Sequence, residues 1–312
     1  MTVFLQNHSA ARPVLGIMLM LGFTVFGPTI DVFAKLAGGT IPLFQISASR
    51  FVLQIIIILP FALFLGKKVI PTRAEIGLYL VRGALILSAT SLFFAALRHL
   101  PLADALAIFF VEPFILILLA TVMLKEKLGW RRLFACGIGF FGALLVIQPQ
   151  YDMIGFVSVF PIGTAFCFAF YLLLTRKMAQ NISPVTLQLN TSIAAAIIIV
   201  PVIILLEGSE NALFDPVWPS AYESILLVGV GLTATIAHMF LTYAFRFAPV
   251  TILGPLQYLE LVSATILGLL VFGDLPNITS FVGMGIIVLS GVYVLMREHA
   301  IESMHNKQNA RS

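Results

Sequence analysis

The sequence predicts an all-α integral membrane protein with ten transmembrane helices, arranged as two inverted-topology repeats of five. Three observations carry that expectation. Of 312 residues, 60% are hydrophobic and only 10% charged, with a mean hydropathy of +1.05, whereas an average soluble chain is about 25% charged. Ten apolar runs approach the ~20 residues that cross ~30 Å of hydrocarbon as a helix. A self-similarity at an offset of 148 residues lays Arg98 on Arg246, Pro101 on Pro249, Glu112 on Glu260, Glu126 on Asp274, Gly137 on Gly285 and Val146 on Val294. Matching Leu and Ile would prove nothing in so apolar a chain, but Arg, Pro and Glu are scarce here. Five spans is an odd number, so the second half enters the membrane from the opposite side, and such halves enclose a site near the bilayer midplane.

The runs fall at 14–36, 43–65, 76–97, 102–124, 132–149, 154–175, 185–206, 221–245, 250–272 and 278–296. Helix 1 contains Gly27-Pro28, which predicts a kink or break near its middle. Thr24, Pro28, Asp31 and Lys35 share one of its faces by their spacing of three and four. Helix 2 carries Arg50 about two turns inside one end. In helix 3, Arg82 is under two turns from a boundary, within reach of snorkelling to the interface. Helix 4 places Glu112 before Pro113 among apolar neighbours, so a polar partner has to come from another helix. Glycines recur in helix 5. Helices 6 and 7 match helices 1 and 2 more weakly, through Lys35 with Lys177 and Pro42 with Pro184. Helix 8 sets His238 on one face with Thr235 and Thr242. In helix 9, Gly254-Pro255 comes just over a turn before Glu260, where proline frees a backbone carbonyl; Gln257 and Ser263 flank that glutamate at helical spacing. The expected units are 1–149, 150–297 and a tail, 298–312.

Charge distribution orients the chain. With the N-terminus in the cytoplasm, fourteen Lys and Arg fall on the cytoplasmic side against Arg98 alone on the other, a positive-inside bias that puts both termini in the cytoplasm. The excess of basic residues therefore orients spans and implies no nucleic-acid partner. Cys136 and Cys167 lie inside apolar runs with no spaced ligand set, so neither a disulfide framework, a metal site nor a cofactor is expected. No Gly-x-x-x-x-Gly-Lys-Ser/Thr loop and no cytosolic domain are present to hold ATP. The motifs of intramembrane proteases, such as His-Glu-x-x-His, are also missing.

An ionised carboxylate at the centre of a span costs about 2.5 to 3.5 kcal/mol on the insertion scale, so its default role is functional and faces the bundle interior. Glu260 and Glu112 are the leading candidates, followed by Gln257, His238, Asp31, Arg50 and Lys35. For either glutamate, a structural bond between helices competes with binding a cation or carrying a coupling proton. Asp31 and Arg50 are expected to form a buried pair that neutralises charge, holds a gate or meets an anionic group on a solute. His238 fits a relay, a donor to a solute, or a hydrogen-bonded structural role.

The segment from Arg98 to Pro149, RHLPLADALAIFFVEPFILILLATVMLKEKLGWRRLFACGIGFFGALLVIQP, resembles the EamA-type branch of the drug/metabolite transporter superfamily. The resemblance recurs from Pro249 through Asp274 and Gly283 to Arg297. It implies a secondary transporter of ten helices in a bacterial inner membrane, moving a small organic solute by alternating access. Asp31 with Lys35 and Arg50 resembles the bacterial uptake carriers for riboflavin and S-adenosylmethionine within that branch, which makes riboflavin or a similar vitamin or nucleoside-like solute the expected cargo. Related members export amino acids and other metabolites, the alternative within transport. A membrane enzyme or scaffold is the alternative of another class. Direction, coupling to a proton or ion, and oligomeric state are not legible in the sequence.

Overall fold

The computed structural model describes residues 12–97, 105, 108–126, 129–148, 156–209, 213, 215–273 and 276–309, and among them every regular element is helical. Arg98, Pro101, Asp104, Pro149 and Asp274 lie outside the described residues. In chain order the helices are α1 (Pro13–Ala37), α2 (Leu43–Phe64), α3 (Arg73–Leu97), α4 (Glu112–Met123), α5 (Trp130–Ile147), α6 (Val159–Ala179), α7 (Pro184–Leu205), α8 (Ala221–Phe247), α9 (Val250–Phe272) and α10 (Ile278–Asn309). Nine are long and apolar enough to cross a membrane among the described residues; α4 is a shorter apolar helix of 12 residues. This helical architecture follows from the solvent, since hydrocarbon offers backbone groups no partner and each span must bond its own.

Local sequence sets several ends. Pro13 and Pro184 open α1 and α7, where a missing N–H is no loss. Ser220 and Glu223 form a capping box at the start of α8, Ser220 Oγ accepting from Glu223 N and the Glu223 carboxylate accepting from Ser220 N at 2.6 Å. Helix α1 runs unbroken through Pro28, contrary to a break at Gly27-Pro28. Flanking helices α8 and α9 support it there, as neighbours commonly support a proline within a span. The interruption expected in α9 is present: one α-turn, Val250–Leu253, gives way to a 3₁₀ stretch, Gly254–Tyr258, before the α-helix resumes at Leu259. In the first half, residues 110 and 111 form a turn immediately before Glu112. Each midspan glutamate thus follows an irregular segment.

Helix packing repeats between halves. Helix α1 lies against α8 and α9, as α6 lies against α3 and α4. The contact of α2 with α8 has its counterpart in α7 with α3, while α2·α7 and α5·α10 are their own counterparts. Exchange of the halves therefore preserves the packing pattern. Gly83 and Gly231, related by the 148-residue offset, show it atomically. A Cβ on Gly83 would come within 2.8 Å of Ala195 N, and one on Gly231 within 2.7 Å of Leu53 Cδ1. Leu53 and Ala195 differ by 142, the spacing that relates Lys35 to Lys177.

Candidate functional site

A cavity of about 150 Å³, partly open, lies between the halves. Its polar lining is Asp31 of α1, Ser47 and Arg50 of α2, Thr90 of α3, Thr164 of α6, His238 of α8 and Glu260 of α9. Phe23, Phe93, Phe109 and Phe168 supply much of the apolar wall. Four of the seven residues singled out from sequence, Asp31, Arg50, His238 and Glu260, are brought together here from four helices.

Glu260 reaches the cavity because α1 has no side chain in its way. A Cβ on Gly27 would lie 2.7 Å from Glu260 Oε1. The carboxyl therefore rests against the α1 backbone one turn from Asp31, and both residues line the cavity. Glu112 is placed differently. It is buried and outside the cavity lining, with the Gln257 amide beside it. Among the described residues, Glu112 Oε1 and Gln257 Nε2 are both buried and without a hydrogen-bond partner of ordinary geometry. Gln257 thus lies by the first-half glutamate rather than in the lining with Glu260. The 3₁₀ stretch accounts for this, because three residues per turn shifts the side-chain phase that an ideal α-helix would give. Lys35 also stays outside the lining; its Nζ lies 4.1 Å over the Phe272 ring.

The expected Asp31–Arg50 ion pair is not formed. The four ion pairs among the described residues include neither residue. Arg50 Nη2 instead donates to His238 Nε2. A guanidinium has no acceptor, so Nε2 is the lone-pair nitrogen and the neutral ring carries its proton on Nδ1. Nδ1 donates to Tyr171 Oη at 3.0 Å, and the same oxygen accepts from Arg82 Nη2 at 3.0 Å. Arg82 also donates from Nε to Thr175 Oγ1 at 3.1 Å and from Nη1 to Thr191 Oγ1 and Leu187 O. Its guanidinium lies 4.4 Å over the Tyr171 ring.

Arg82 does not snorkel. It is fully buried, because α3 begins at Arg73 and places it about two and a half turns inside the helix. Sequence reasoning missed Tyr171, one of seven tyrosines in a chain with 27 phenylalanines. The usable signal was a buried arginine needing acceptors, which Thr175 and Thr191 announce only once α6 and α7 are known to face α3.

Away from the cavity, several helix ends are tied by polar bonds. Arg176 of α6 pairs with Glu126 at 3.1 Å and donates to Phe245 O, at the end of α8, at 2.7 Å. Gln180 Nε2 donates to Phe245 O and Arg246 O at 3.1 and 3.2 Å. Glu126 accepts from Thr251 N at 3.3 Å, and Arg132 donates to Thr251 Oγ1 at 3.0 Å while pairing with Glu298. Cations at the carbonyl end of α8 also complement its dipole.

Two interlocked five-helix halves around a polar, partly open midspan cavity define a membrane carrier of small metabolites. Residues 14–148 and 155–297 each match the EamA-like transporter family, and the chain belongs to that family. It is 25% identical over 304 residues to an S-adenosylmethionine uptake transporter of Rickettsia prowazekii (strain Madrid E), covering 97% of this chain and 100% of that one. Riboflavin transporters of Vibrio cholerae serotype O1 and Brucella anthropi are 27% and 29% identical, covering 83% of this chain and 84% and 89% of theirs. A solved crystal structure superposes with a TM-score of 0.77 at 19% identity, covering 92% of this chain and 98% of that one. That likeness supports the shared fold.

Proposed function

We propose that this chain is a secondary carrier of a bacterial inner membrane, both termini cytoplasmic, that takes up a nucleoside-like metabolite by alternating access. The observation that carries the reading is the cavity itself, a polar, partly open space lined by helices of both halves. Riboflavin and S-adenosylmethionine, the solutes that name its relatives, both carry a flat heteroaromatic ring suited to the phenylalanine wall. They differ in charge. Two carboxylates on one wall and a guanidinium on another favour a solute bearing both signs, so S-adenosylmethionine fits the lining better than neutral riboflavin. Glu260 is the residue proposed to meet a cationic group or to carry a coupling proton, with Asp31 in the same lining; Glu112, with Gln257 beside it, is assigned a structural place outside the lining.

The test is uptake into proteoliposomes containing only this protein, with labelled S-adenosylmethionine and riboflavin run in parallel. Saturable uptake is expected, and Glu260→Gln abolishes or uncouples it while leaving insertion and the thermal melt unchanged. Full activity of the Glu112→Gln, Glu260→Gln double variant would sink the site assignment. Absence of flux for every small metabolite tried would sink the carrier reading.

A further inference from the structure

We propose that Arg50 is the receptor for a carboxylate on the transported solute, with His238, Tyr171 and Arg82 as positioning residues behind it. The inference rests on the carrier reading and narrows its substrate class to solutes that combine a carboxylate with a cationic group.

Arg50 is 8% exposed and lines the cavity. Of its donor atoms, Nη2 alone has a hydrogen-bond partner among the described residues, and Nε is buried with none. Among the described residues, no carboxylate lies within 4.0 Å of it. A buried guanidinium without a counterion is costly, and leaving one unpaired is tolerated where an anion arrives to complete it. Asp31 lines the same cavity, yet it lies beyond the 4.0 Å of an ion pair with Arg50.

The groups behind Arg50 cannot supply an anion either. His238 offers one lone pair, which Nη2 already uses. Arg82 makes four hydrogen bonds to hydroxyl and carbonyl oxygens and adds a second positive charge behind Tyr171. The bonds converge on Tyr171 Oη, which accepts from both Arg82 and His238; His238 therefore carries its proton on Nδ1 and turns its lone pair toward Arg50. The remaining N–H groups of Arg50 are then available for a charge-assisted bond to a carboxylate. Asp31 and Glu260, which line the same cavity, suit the cationic end of such a solute.

The experiment measures equilibrium binding to the detergent-purified full chain for two probes that differ by one group, S-adenosylmethionine and decarboxylated S-adenosylmethionine. Wild-type protein is expected to prefer the carboxylate-bearing probe by about tenfold or more, the worth of a charge-assisted hydrogen bond. Arg50→Gln binds both probes alike. Tyr171→Phe keeps Arg50 and reduces the preference without abolishing binding of the decarboxylated probe, a split that a merely structural defect would not produce. Equal affinities in wild type, binding of neither probe, or a preference surviving in Arg50→Gln overturns the inference. Because the readout is binding, it stands apart from flux: a protein that prefers the carboxylate yet moves no solute would sink the carrier reading and leave the receptor intact.

Discussion

Gly27 sets how closely Glu260 approaches α1, and this contact gives the sharpest prediction for a single residue. A methyl group at Gly27 would lie 2.7 Å from Glu260 Oε1, inside van der Waals contact. Gly27→Ala is expected to displace the carboxyl and reduce uptake by about tenfold or more while lowering the melting temperature only a few degrees, since a charged side chain facing a cavity has room to move. Uptake at the wild-type rate would show that the carboxyl need not rest on α1. Tyr171→Phe removes one oxygen that accepts from both Arg82 and His238. It is expected to cost about 2 kcal/mol, the scale of a hydrogen bond to a charged group, measured by thermal or denaturant unfolding in detergent. Sequence spacing placed Asp31, Arg50, His238 and Glu260 within spans, and rarity of charge marked them. Their partners were not legible, because Arg50 with His238 is a contact between α2 and α8, 188 residues apart.

At the scale of elements, periodicity was a good guide to where helices lie and a poor one to the phase of α9. Gly254-Pro255 announced an interruption, but the 3₁₀ geometry that turns Gln257 toward Glu112 depends on packing against α5 and α10. Proline alone was no sufficient sign, as α1 continues through Pro28. The tie between helix ends at Glu126 and Arg176 yields a prediction of its own. Arg176→Gln removes an ion pair at 3.1 Å and the bond to Phe245 O. Loosening of this end is expected to raise alkylation of a cysteine placed at Thr251, which is 1% exposed, by about tenfold in a background lacking Cys136 and Cys167. An unchanged labelling rate would mean that the end is shut by apolar packing alone.

For the whole molecule, the 148-residue offset foretold that halves correspond, and the exchangeable packing of α1·α8 with α6·α3 gives that correspondence physical form. Gly83→Leu and Gly231→Leu should destabilise to a similar degree, about 1 to 3 kcal/mol each by overpacking, because both glycines admit a neighbouring helix at the same place in their repeats. Melting curves in detergent provide the measure, and a large effect at one site with none at the other would argue against equivalent roles. The weaker offset of 142 for the first two helices of each half could not have been trusted from Lys35 and Pro42 alone. Leu53 and Ala195 supply its atomic counterpart.

Correspondence between halves also exposes where they differ. The residues that tie one end are Glu126, Arg176 and Gln180, and their repeat positions are Asp274, Ala34 and Gly38. Only the acid has a counterpart of similar chemistry; where Arg176 stands in one half, the other has a methyl group lining the cavity. The two ends therefore do not close by the same chemistry. At the other end, α1 and α2 are held to the start of α8 by Thr40 donating to Glu223 and by Gln45 exchanging two bonds with the Val217 backbone, with no arginine among them.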